Sequence, residues 1–138
     1  MPIIFIINTF FMKYTDAVSH CGHDHSQWLK SLEFYDDDLD SLENRLLEIV
    51  KKNNGYEAMK GVEHFQNQFM IQRKNIHDLR HTINRHSGKV AAEALSHVGK
   101  MEMIRVDEHE NIKAEVENFE KIINELRHEF NVFLSKWM

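Results

Sequence analysis

The sequence predicts an all-α protein. The expected architecture is an up-down-up antiparallel helical bundle of three long helices, over residues 25–53, 57–86 and 108–137. A short extra helical segment is expected near 89–104, and an apolar arm at the N-terminus. Three observations carry this. Apolar residues recur in steps of three and four through three stretches of similar length, which is the period of a helical seam. The 138 residues contain one Pro and five Gly, too few to punctuate the many tight turns of a sandwich or barrel. A composition with 42% hydrophobic and 28% charged residues supports a packed core rather than a disordered chain.

A chain of this size buries roughly 68% of the surface its unfolded form exposes, enough for one core without disulfide or metal staples. Residues 1–138 therefore read as a single domain. The apolar run Pro2 to Phe11 is shorter than the roughly 20 residues a helix needs to span a bilayer. No positive charge precedes it, as a secretory signal would require. It reads as an extended or strand-like arm on the bundle or on a partner, or as an extension upstream of a start at Met12.

The first seam is Trp28, Leu32, Tyr35, Leu39, Leu42, Leu46 and Ile49. Asp24, three residues before Gln27, has the spacing of a capping box, and Asn53, Asn54 and Gly55 supply the stop. The second seam runs through Val62, Phe65, Phe69, Gln72, Ile76, Leu79 and Ile83, with a stop at Ser87 and Gly88. The third runs through Ile112, Val116, Phe119, Ile123, Leu126, Phe130, Phe133 and Trp137, with Asp107 and Glu110 in the capping relation. Between the last two seams, Lys89 to Val106 looks helical but is interrupted by Gly99. It reads as a short helix closing the bundle end, or as a continuation of the third helix that leaves apolar surface for a dimer partner. The turn at Asn53–Gly55 forces an antiparallel return. It sets the acidic run Tyr35 to Asp40 opposite Arg73 and Lys74 as a solvated flank.

Ten histidines are several times an average share. His64, His77, His81 and His128 fall off the seams, and two exposed ligands such as His77 and His81 leave a coordination shell unfilled. His25, His86 and His109 instead extend the three seams by one step each. In an antiparallel bundle they converge at one end, next to His20, Cys21, His23 and Asp24. Imidazoles with a thiolate or carboxylate suit a divalent transition ion such as zinc, nickel, copper or iron. The metal candidates are therefore His25, His86 and His109, with Cys21 and His23 as further ligands, and Glu102, Asp107 or Glu108 to complete a shell. Two helix N-termini at the same end would oppose a cation and favour an anion instead. The plainest alternative is that these histidines cap a half-wet bundle end, as Gln72 sets register in its seam.

Several classes are excluded by absent motifs. The inward Glu and Glu-x-x-His pattern of ferritin-like bundles is missing, since Glu125–His128 and Asp78–His81 lie off the seams. The repeated histidine pairs of hemerythrins are matched only by His77 and His81. No phosphate loop, nucleophile elbow or zincin motif occurs, and nothing in the sequence predicts catalysis. A formal charge of −5 opposes nucleic-acid binding. A single Cys suits a reducing compartment, so the cytoplasm is the expected location.

The stretches HFQNQF (His64 to Phe69) and NELRHEFNVFLSKWM (Asn124 to Met138) resemble those of an uncharacterised family of small bacterial all-helical proteins. The resemblance covers mainly the second and third helices and implies no function. From its residues the chain is expected to be a non-enzymatic binding or interaction module, acting through its surface, a protein partner or a homo-oligomer. The alternative is a transition-metal-binding protein built on His25, His86 and His109.

Overall fold

The computed structural model describes residues 2–96 and 103–138, with side chains described for 19–95 and 106–138. Three helices account for the fold: α1 (Pro2–Lys52), α2 (Tyr56–Ser96) and α3 (Met103–Trp137). The cross-contacts fix the topology. Arg73 of α2 meets Asp36, Asp40 and Glu43 of α1, while His86 of α2 meets His25, so α1 and α2 are antiparallel. Tyr35 packs on Phe119 and His109 meets Asp24, so α3 runs parallel to α1. The result is the up-down-up bundle.

The seams form the core as the periodicity requires. Leu32, Leu39, Leu42, Leu46 and Ile49 of α1, every apolar seam residue of α2, and Ile112 through Phe130 of α3 are buried in one cluster. At the turn end the core is aromatic: Phe65 and Phe69 lie 5.1 and 5.2 Å from Phe130, both edge-on, and Phe65 lies 5.0 Å from Phe133. The Phe133 ring passes directly over Gly61, where any Cβ would collide with it. Because Phe133 spreads across that glycine, the fully buried knob at the end of α3 is Leu134, and Phe133 and Trp137 are half-buried. Asn53, in the turn, donates through Nδ2 to the Trp137 carbonyl at 3.0 Å, tying the α1–α2 turn to the end of α3.

The helix ends at the turn side lie within one residue of those expected, whereas the three at the histidine side differ. The first helix does not start at residue 25: no proline interrupts the segment after Pro2, Gly22 is accommodated within the helix, and Asp24 is a mid-helix residue. The apolar N-terminal run is part of α1 rather than a strand or extended arm; its side chains lie outside the described residues. The second helix passes Ser87 and Gly88 without a stop and reaches Ser96. A helical glycine costs about 1 kcal/mol relative to alanine. Here that cost is outweighed by burial of His86 and Val90, the next steps of the seam. The segment 89–104 is therefore not a separate short helix: its first part belongs to α2, its last residues to α3, and 97–102 lie outside the described residues. Asp107, expected as a cap, sits inside α3. No described helix is long and apolar enough to cross a membrane.

Truncating the fully buried Phe69 should cost about 3–5 kcal/mol, the range for an aromatic cavity. Truncating Phe34, which is 55% exposed, should change stability by less than about 0.5 kcal/mol. Urea unfolding followed by circular dichroism measures both, and equal losses would contradict this core.

Candidate metal centre

Each seam, continued past its last apolar residue, delivers one histidine into the core. His25, His86 and His109 are 5%, 3% and 4% exposed. They belong to three different helices and face one another, with ring centroids 5.0 Å apart for His25–His86, 5.3 Å for His25–His109 and 5.5 Å for His86–His109. One nitrogen from each ring lies within 4.8 Å of those of the other two. Among the described residues this is the group of potential ligands that meets that spacing.

The hydrogen bonds around the rings fix their orientation. His25 Nε2 and His86 Nδ1 are 2.9 Å apart and share one proton. The other His25 nitrogen, Nδ1, is 2.7 Å from the Ser87 hydroxyl. His109 Nε2–H donates to Asp24 Oδ2 at 2.8 Å, and the same carboxylate oxygen lies 3.3 Å from Nε2 of the exposed His20. That leaves His109 Nδ1 buried with no hydrogen-bond partner. Trp28 closes the site toward the apolar core, its ring 4.8 Å from His109 and 5.5 Å from His25.

The electrostatics follow from burial. Desolvation, reinforced by His86 and His109 and opposed by Asp24, pushes the His25 imidazole from 6.5 down to about 4. Burial alone would raise the Asp24 carboxyl, but the hydrogen bond from His109 and the nearby imidazoles outweigh it and hold it below its ordinary value. At neutral pH the site therefore holds a neutral His25 ring and an ionised carboxylate hydrogen-bonded to His109.

The structure brings the three seam histidines together but treats the other candidates differently. His23 is exposed and outside the cluster. Cys21 is buried one turn before His25 on α1, without joining the close group. Its thiol is pushed up by burial and by the carboxylates of Asp24 and Glu110. Asp107 is exposed, Glu108 pairs with Lys89 at 3.7 Å, and Glu102 lies outside the described residues. Asp24, expected as a helix cap and as a neighbour of the ligand cluster, and Ser87, expected only to stop a helix, turn out to hold the rings. A carboxylate or hydroxyl next in sequence to a seam histidine is the signal that would have found them. The dipole objection to a cation also weakens: α1 begins at Pro2, so His25 lies deep inside a helix, and His109 lies six residues into α3, beyond the first turn where the positive end acts.

Comparison with protein-family models, curated proteins and solved structures finds no match to this chain. A functional reading must come from the chemistry of the site.

Because the folded state keeps His25 neutral while the unfolded chain protonates near 6.5, the unfolded state binds the extra proton between those values. Stability is fully present above pH 6.5 and falls as pH drops toward 4. The loss for chelator-treated protein should reach on the order of 3 kcal/mol at 1.36 kcal/mol per pKa unit. A His25→Gln variant should lose much of that slope in urea titrations at stepped pH. An unchanged slope would mean that His25 is not the group responsible.

Proposed function

We propose that this protein is a transition-metal-binding helical bundle whose centre is His25, His86 and His109. The supporting observation is that three buried imidazoles, one from each helix, sit within ligating distance of one another in a layer that an ordinary core would fill with leucine or isoleucine. Without a cation the arrangement is costly, since a buried acceptor left without a partner, as His109 Nδ1 is, costs about 1–3 kcal/mol.

The donor chemistry fits. With Nε2 of His109 committed to Asp24, Nδ1 is the nitrogen left to ligate. This carboxylate–histidine arrangement fixes the tautomer and raises the basicity of a metal-bound ring. If the Ser87 hydroxyl accepts from His25 Nδ1–H, His25 Nε2 is freed as a lone pair facing His86 Nδ1. Bonds of 2.0–2.1 Å at tetrahedral angles require about 3.3 Å between donor nitrogens, so the 2.9 Å His25–His86 pair needs only a small opening. Imidazole donors suit zinc, nickel, copper or iron. The reading that the sequence favours, a surface-acting module with no chemistry, leaves the composition of this layer unexplained.

Tag-free protein should carry close to one equivalent of metal by elemental analysis, lose it to chelator, and melt at a higher temperature when loaded than when stripped. His25→Ala, His86→Ala and His109→Ala should abolish both the stoichiometry and the metal-dependent rise. His77→Ala with His81→Ala should leave them intact. Asp24→Asn should weaken affinity about 10- to 100-fold while retaining the fold. Protein that takes up no metal, and melts identically with and without added ions, would defeat the proposal.

A further inference from the structure

We infer that the fourth coordination position of this centre takes a small exogenous monoanion, which enters through the cleft between α2 and α3. The inference rests on the metal-binding reading above and specifies what the site does with its remaining valence.

The first argument is donor count. Three imidazole nitrogens leave a four-coordinate ion one ligand short, and the close group among the described residues contains no thiolate or carboxylate. Asp24 is engaged with His109 and His20.

The second argument is charge. Three neutral imidazoles contribute none, and the Asp24 carboxylate offsets one unit of a divalent ion. One positive charge is left uncompensated in a buried layer, where isolated charge is expensive. A monoanionic fourth ligand removes it; a neutral one does not.

The third argument is access. His86 is 3% exposed, yet it also lines a cleft of about 240 Å³ between α2 and α3, with Thr82, Arg85 and Lys89 on one side and Asn111 and Glu115 on the other. At roughly 30 Å³ per water, that space holds several waters or an anion of azide or formate size. It is below the range of roughly 300–1,000 Å³ typical of sites for larger organic ligands. Arg85 and Lys89 are balanced by Glu108 and Glu115 in the same lining, so the preference for an anion is set by the cation at the bottom of the cleft. Binding is simple ligand exchange, with the anion replacing water on the metal and no change of oxidation state.

The test is optical. The stripped full-length chain is loaded with cobalt(II), and sodium azide is titrated into it while the visible d–d bands are followed. The inference expects one equivalent of cobalt, a saturable azide-dependent shift of those bands, and loss of the shift in Asn111→Trp, which puts a bulky side chain into the cleft lining without lowering cobalt stoichiometry. A thiolate-to-cobalt charge-transfer band that disappears in Cys21→Ser, with no response to azide, would overturn it by placing Cys21 in the fourth position. Bands that azide does not move in the absence of a thiolate band would overturn it as well, since the position would be closed. Failure to take up cobalt, or uptake that survives loss of the three histidines, would instead defeat the metal-binding reading itself, and the inference with it.

Discussion

Every feature of the histidine layer depends on the register between the three seams. The Asn53–Gly55 turn sets α2 against α1, and the hydrogen bond from Asn53 to the Trp137 carbonyl sets the end of α3 against the end of α1. His25 precedes Asn53 by as many residues as His109 precedes Trp137. Two parallel helices pinned at one end therefore hold the two histidines at the same height, since each rises 1.5 Å per residue. His86, reached by going back along α2 from the same turn, arrives at that height from the opposite direction. A shift of one residue in any helix would rotate its histidine out of the core, and the hydrophobic cluster between turn and histidines resists such a shift.

The histidine layer replaces apolar packing with polar contacts. Below it the core is closed by Leu32, Ile83 and Ile112, all at most 5% exposed, and packing there needs no polar partner. In the layer itself the rings are satisfied one contact at a time: Ser87 for His25, His25 for His86, Asp24 for His109. The sequence places those partners next to seam histidines other than the ones they bond, Asp24 before His25 and Ser87 after His86, so α1 and α2 each carry both a ring and a group that orients a ring on another helix. The exception is His109 Nδ1, buried with no hydrogen-bond partner, and the proposed metal site rests on it.

Helix length also changes the electrostatics. Had α1 begun at residue 25, its positive end would have faced the rings and favoured an anion over a cation. With α1 starting at Pro2 and α2 running on to Ser96, the Asp24 carboxylate is the charge beside the rings that favours a cation, while burial keeps the His25 ring neutral and able to ligate. The acidic run after Tyr35 plays a structural part elsewhere: Arg73 spans Asp36, Asp40 and Glu43, and Arg127 meets Asp38 at 2.8 Å.

Periodicity was enough to identify the three seams, the antiparallel return at Asn53–Gly55 and the inward aim of His25, His86 and His109, because a residue's position in a 3.5-residue repeat dictates which way its side chain points. It placed the helix ends beside the Asn53–Gly55 turn and at Trp137 to within one residue, but not those on the histidine side. Local capping signals at Asp24, Ser87–Gly88 and Asp107 are worth about 1 kcal/mol each, and around Ser87–Gly88 the burial of His86 and Val90 outweighed that. Nor could it find Asp24 and Ser87 as ring partners, or separate Cys21 and His23 from the ligand cluster. Those outcomes turn on which rotamer meets which ring across a helix interface, and that is settled only when three helices have been brought into register around one axis.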